Sequence, residues 1–190
     1  MKLIIKQVTN NSEEMAAMFR IRHEVFEREH GIAMAQLQVF DQTNAFHLLA
    51  RAEPGGKPAA TLTVVDTSGN HQLHESYGLK FDPRARAARY TQLAVLEQYR
   101  GMGLPLRLVF EAHRRFILPG QFDYSWLLFD AERAAVSSLC RQLAFTPSLD
   151  AFPSEYGLAR SLVRDESAPR SRQAVQQVKQ YFEQDRSDFR

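Results

Sequence analysis

The chain has a single cysteine, Cys140, among its 190 residues. One thiol excludes an internal disulfide and a cysteine-rich zinc site, and it points to a reducing, cytoplasmic setting. No apolar run approaches the ~18 residues of a membrane span, and the opening Met1-Lys-Leu-Ile-Ile-Lys6 is too short and too interrupted for a signal peptide. Neither sign of charge dominates: 24 Lys and Arg stand against 22 Asp and Glu, a net charge of +2. Electrostatics therefore make no case for nucleic acid or an acidic membrane as partner. No internal repeat is visible. What the chain has in quantity is apolar residues, 44% of the total with 13 Phe, enough for one substantial core.

Residues Leu3 to Val8 alternate as a strand. Asn11-Ser-Glu-Glu14 offers a capping pair before helical apolar spacing at Met15, Met18, Phe19, Ile21 or Arg22, Val25 and Phe26, and the helix breaks near Gly31. Phe46 to Arg51 and Ala59 to Asp66 read as a hairpin across Pro54-Gly-Gly56. The polar stretch Thr67 to Ala88 carries turn signals and reads as a long loop. Arg89 to Val95 is the next strand, Leu106 to Leu118 a helix, Tyr124 to Phe129 a strand, and a helix follows Asp130. Tyr156 to Val163 is a late strand, and a polar final helix over about Ser171 to Phe182 sets Val175, Val178, Tyr181 and Phe182 on one side. That side can pack on the domain or on a second copy in a homodimer. The order describes a mixed α/β (α+β) sheet flanked by helices, one domain over residues 1–165, with a C-terminal polar helix over 166–190.

The most informative run is Leu93-Ala-Val-Leu-Glu-Gln98-Tyr99-Arg100-Gly101-Met102-Gly103-Leu104. An apolar strand that turns through glycines into a helix aims several backbone N–H groups at one spot, which favours an anion. Gly101 and Gly103 allow backbone to come close to a ligand and adopt dihedrals barred to other residues. Arg100 can add a charge-assisted contact. A Walker A loop would need Gly-Lys-Ser/Thr and a Rossmann loop a third glycine; neither is present. The bland alternative is a helix start with two incidental glycines. Pro105 is tolerated near a helix start, where its missing N–H would have no helical partner.

The surroundings of this loop carry a resemblance. Leu-Ala-Val, then Gln-x-x-Gly-x-Gly, a helix, a strand, and Asp130 to Phe145 ending in Leu139-Cys-Arg-Gln-Leu-Ala-Phe145 resemble the GNAT (GCN5-related N-acetyltransferase) superfamily. The resemblance implies a mostly antiparallel sheet with splayed central strands, and an acyl-CoA donor, acetyl-CoA or another, with its pyrophosphate on the loop. The backbone of Leu93, Ala94 and Val95 would pair with the pantetheine arm, Asp130 would lie beside that arm where the family often has asparagine, and no metal is required. A simpler reading makes Asp130 an N-cap. The family usually offers one more phosphate donor near Pro105, so this proline slightly favours a carrier-protein donor or a weakened site. A second resemblance, to N-acyl amino acid synthases and acyl-homoserine lactone synthases, rests on Arg22, Phe26 and Asp41. Lactone synthases carry Glu-x-Ser-Arg on the strand before the loop, where this chain has Arg89-Tyr-Thr-Gln92.

The implied chemistry is direct attack of an amine on a thioester, which needs a proton acceptor, donors for the oxyanion and an acid for the leaving sulfur. Cys140 stands where many family members have a tyrosine acid; its plainer reading is an apolar filler. Tyr156 is the second candidate acid. Asp41 and His47 are candidates for holding or deprotonating the amine, with a turn cap and an ordinary strand histidine as the bland readings. His113 reads as a solvated side chain, and His71 with His74 and Glu75 as a weak metal set. Three functions follow: an N-acyltransferase using a short acyl-CoA on a small-molecule or protein amine; an acyltransferase using longer acyl-CoA or acyl-carrier protein, with Arg84, Arg86 and Arg89 as a basic patch; and a binding module with little turnover.

Overall fold

The computed structural model describes residues 2–9, 12–33, 44–130, 134–148, 152–154 and 157–187. Two compact units emerge, Met1–Asp66 with Tyr90–Phe116, and Thr67–Arg89 with Ile117–Arg190. Strand β4, Ala87–Val95, passes from the second into the first.

In the first unit β1 (Lys2–Val8), β2 (Ala45–Glu53) and β3 (Lys57–Asp66) pair antiparallel in that order. The expected hairpin is present, each strand slightly longer than its apolar pattern suggested. β3 is buried from Ala59 through Val65, so its Thr61 and Thr63 hydroxyls need partners inside the protein. Thr61 donates to Leu48 O at 2.9 Å. Helix α1 covers Ser12–Arg22 and continues as wider π-type turns over His23–Glu29. Its Ala17, Ile21 and Val25 bury against Val8, Leu49 and Ala94, at about 1.5–3 kcal/mol for each large apolar side chain. The expected helix after the glycine loop begins two residues earlier, as α3 at Leu104–Ala112, and widens over His113–Ile117. His113, expected in solvent, is buried. It lies four residues after buried Val109 and beside buried Ala112, on the apolar side that the helical period already sets.

The second unit corrects the reading of Thr67 to Ala88 as one long loop. Helix α2 forms over His71–Ser76, with the Asn70 side chain accepting from Leu73 N–H at 3.1 Å, and β4 begins at Ala87. β5 (Tyr124–Asp130), β6 (Thr146–Pro147) and β7 (Phe152–Ser154) each relate to β8 (Gly157–Asp165) as antiparallel partners. Helix α4 covers Ala134–Gln142 and α5 covers Pro169–Ser187. Leu79, Ala87 and Trp126 form the core, joined by Leu73, Tyr77, Phe81 and Tyr124. On α5 the buried stripe is Ser171, Ala174 and Val178, spaced three and four apart, while Tyr181 is exposed. Tyr181 therefore does not share the buried side with Val178.

The basic patch of Arg84, Arg86 and Arg89 does not form as expected. Arg89 is buried, its guanidinium 4.8 Å from the Trp126 ring centroid and 5.2 Å from that of Tyr77. Arg86 lies over Phe122 at 4.6 Å and donates to Gly120 O, but is exposed, as Arg84 is. Stacking on the faces of Trp126 and Tyr77 draws Arg89 out of the patch. Strands and helices alternate along the chain and the strand pairs are mostly antiparallel, so the fold is mixed α/β. Among the described residues no helix is long and apolar enough to cross a membrane.

Candidate active site

The glycine-bearing loop grows out of a strand that bends before it ends. Gln92, inside β4, has φ +53°, a left-handed conformation that a non-glycine residue adopts at a cost of about 1–3 kcal/mol. A left-handed residue inside a strand bends it locally, as a bulge does. Ala94 is buried in the α1 cluster, and Leu93 and Val95 are half-buried. Leu96 N–H is held by Ala59 O at 3.0 Å, and Glu97–Tyr99 forms one 3-10 turn. Gln98 is exposed and Tyr99 half-buried.

Gly101 and Gly103 have φ +79° and +68°. A Cβ built on either meets no protein atom within 4 Å, so what the protein itself demands is the dihedral. Gly103, left-handed, is the N-cap of α3, and the buried Leu104 side chain anchors the turn behind exposed Gly101, Met102 and Gly103. Arg107 N–H donates to Gly103 O at 3.1 Å as the helix begins. The N–H groups of Leu104 and Leu106 precede it and have no acceptor within the helix; Pro105 has no N–H at all. The loop thus offers backbone donors and the positive end of a helix, with one donor fewer than a proline-free start.

Arg100 is engaged on the protein itself. Its Nε donates to Val95 O at 3.2 Å and its Nη2 pairs with the Glu29 carboxylate at the end of the π-type turns. The pair is partly exposed, Arg100 at 45% and Glu29 at 24%. A surface pair of this kind contributes about 0–1 kcal/mol, which an incoming anion can replace.

A second polar cluster sits in the same unit. Arg22, at the end of α1, is 3% exposed; its Nη2 donates to Thr63 Oγ1 and its Nε has no hydrogen-bond partner among the described residues. Burial pulls its guanidinium down to about 9. Thr63 stands directly opposite His47 across the β2/β3 ladder, and its Oγ1 lies 2.8 Å from His47 Nδ1. Burial, with the Arg22 charge adding to it, lowers His47 to about 4. His47 is therefore neutral at pH 7 and a weak proton acceptor. Thr63 and Glu29 escaped the sequence reading. A threonine inside an otherwise apolar buried strand was the available signal for Thr63; nothing local marks Glu29.

In the second unit Cys140 is a buried free thiol, pushed up to about 11 by desolvation. It stays protonated at neutral pH and yields its proton reluctantly. Asp130 closes β5 by its backbone, and its side chain lies outside the described residues, as do Asp41 and Tyr156 entirely. His74 is buried, Nε2 3.1 Å from Thr67 Oγ1 and edge-on to Phe81. Trp126 Nε1–H donates to the same Thr67 hydroxyl at 3.1 Å. His74 thus serves the core, and among the described residues no group of three His, Cys, Asp or Glu side chains could hold a metal.

No protein-family model matches the chain, and no curated protein matches it by sequence. Its fold, in contrast, is well represented among solved structures. An acyl-CoA N-acyltransferase from Pseudomonas aeruginosa is 17% identical with a TM-score of 0.66, covering 86% of this chain and 99% of its own. BjaI, a CoA-dependent acyl-homoserine lactone synthase, is 16% identical with a TM-score of 0.68, covering 94% and 90%. FeeM, an N-acyl amino acid synthase from uncultured soil microbes, is 12% identical with a TM-score of 0.64, covering 86% and 90%. By these likenesses the chain has the fold of the GNAT acyltransferases.

Proposed function

We propose that the chain is an N-acyltransferase that moves an acyl group from coenzyme A to a primary amine in one direct step. The observation that carries this reading is the left-handed Gly103 cap, which opens α3 toward solvent with unpaired N–H groups straight after the bent end of β4. A pyrophosphate fits such a helix start, each well-placed charge gaining about 0.3–1 kcal/mol. The similar structures include enzymes whose names specify acyl-CoA or CoA dependence.

In this reading the backbone of Leu93, Ala94 and Val95 faces the donor's pantetheine arm, and Gly101 to Leu104 hold its phosphates together with Arg100 once Glu29 releases it. The amine must be neutral to attack, so an ammonium first loses a proton to water or a base. The C–N bond forms as the thioester C–S bond breaks, the nitrogen gives its second proton to solvent, and the departing sulfur takes one up. His47, lowered to about 4, serves this step as a hydrogen-bonding group better than as the base. Cys140, a reluctant acid, serves as core, so solvent or Tyr156 supplies the proton to sulfur.

Pro105 favours a second reading of the donor, a longer acyl chain delivered by coenzyme A or acyl-carrier protein, because it removes one N–H from the phosphate cradle. The test is thiol release on mixing the protein with acetyl-CoA, decanoyl-CoA or decanoyl-acyl-carrier protein and a panel of primary amines. Amine-dependent release from one of the CoA donors is expected. Release from the carrier protein alone would shift the donor class, and no release from any donor would overturn transfer.

A further inference from the structure

The second unit holds an open cavity of about 420 Å³, where the end of α4 and strand β6 face the first turns of α5. None of its lining residues belongs to the unit that carries the donor loop. Arg141 and Arg170 bring two guanidinium groups to it, and Gln142, Gln173 and Gln177 bring three carboxamides. Among the described residues no carboxylate lines it. Arg170 Nη2 donates to Thr146 Oγ1 at 3.4 Å and also acts on Asp165, whose carboxylate already accepts from the Ser167 N–H at 2.8 Å and the Ser167 hydroxyl at 2.7 Å. The inner wall is apolar and firmly held. Phe145, buried there, lies against the Arg164 guanidinium, 4.8 Å from its ring centroid, and the same guanidinium donates to Leu143 O at 3.3 Å. Ala144 holds φ +60° just past the end of α4, which the Phe145 N–H closes on Cys140 O at 2.9 Å. Glycine suits that position best, so the chain keeps a methyl group on the cavity wall at a conformational cost.

We infer that this cavity binds a phosphate monoester of small-metabolite size, with its phosphate between Arg141 and Arg170 and its organic part against Ala174, Gln173 and Gln177. Two guanidinium groups with no carboxylate on the cavity wall match an oxyanion. A doubly charged phosphate cancels both, where a single carboxylate cancels one. Each planar guanidinium can also meet two phosphate oxygens in parallel. The volume exceeds what a bare phosphate fills and falls within the roughly 300–1,000 Å³ of clefts that hold small organic ligands. Carboxamides both donate and accept, so Gln173 and Gln177 suit the hydroxyls of a sugar or the edge of a base. This site goes beyond acyl transfer and does not rest on it.

Calorimetry in chloride buffer tests this with adenosine monophosphate, glycerophosphate and inorganic phosphate, set against adenosine, glycerol and succinate. At least one of the two esters should bind about tenfold more tightly than its phosphate-free counterpart, and more tightly than inorganic phosphate. Its affinity should fall about tenfold in Arg141→Gln and in Arg170→Gln. Both arginines are exposed, so both variants keep the fold. Gly103→Val, which alters the donor loop in the other unit, should leave ester binding unchanged. No binding of either ester to the wild type overturns the assignment. So do unchanged affinity in both arginine variants, tighter binding of succinate than of either ester, and loss of ester binding in Gly103→Val. Inorganic phosphate bound as tightly as the esters marks an adventitious ion only and overturns it as well.

Discussion

Gly101 and Gly103 each hold a positive φ in an exposed loop, with room around the missing Cβ. Room and dihedral have different consequences. Gly103→Val strains the backbone by about 1–3 kcal/mol and tilts the N–H groups that open α3, while nothing in the core is disturbed because no core atom lies within reach. Affinity for coenzyme A in the Gly101→Val and Gly103→Val variants should fall at least tenfold by calorimetry, with the circular dichroism spectrum retained. Unchanged affinity in both would remove the loop from the donor site. Arg22 shows the opposite kind of residue. In sequence it reads as the polar alternative to Ile21 on a helix face and as a member of the Arg22, Phe26 and Asp41 pattern, while its hydroxyl partner Thr63, 41 residues away, is brought to it only by the fold.

At the scale of elements, the π-type turns of His23–Glu29 and the donor loop meet through one ion pair, Glu29 with Arg100. Donor phosphates and the Glu29 carboxylate compete for the same guanidinium. Glu29→Gln removes the competitor and one nearby negative charge, so KM for acyl-CoA should fall about two- to fivefold at low salt, the difference narrowing as salt screens it. Initial rates at 20 mM and 300 mM salt, ~20 and ~300 in the sense of well below and above physiological screening, measure both effects; a rise in KM would show that Glu29 holds Arg100 in place for the donor. How far the elements were legible follows the same division between local and distant causes. The hairpin of β2 and β3 was readable because apolar runs and Pro54-Gly-Gly56 are local signals. The glycine loop was readable for the same reason. Helix α2 was not, because its six residues, Leu73 alone apolar, show no apolar period and are held by an Asn70 cap and by His74 buried against Phe81 and Trp126. The burial of His113 also escaped, although its place four residues after Val109 sets it on the apolar side, because a histidine reads as polar.

For the whole molecule, the buried imidazoles tie stability to pH. His47 is lowered from 6.5 to about 4, and His74 is lowered as well, each chiefly by burial. The unfolded chain therefore takes up protons that the folded one refuses between about 6.5 and 4. Stability is fully present above that window and declines as pH falls through it. Urea midpoints should drop between pH 7 and pH 4.5, roughly the ends of that window, and the drop should be smaller in His47→Gln, while His74 contributes equally in both proteins. An equal drop would mean that His47 titrates alike folded and unfolded. The proton inventory of this cluster has one more consequence. Thr63 has a single hydroxyl hydrogen and accepts from Arg22. If His47 also donated to it, that hydrogen would need a further acceptor, and none is found among the described residues. The arrangement that satisfies every group has the hydroxyl donating to His47 Nδ1, which leaves the ring hydrogen on Nε2. Arg22 thereby selects the tautomer of His47, and the imidazole presents a donor, not a lone pair, to whatever approaches its far side.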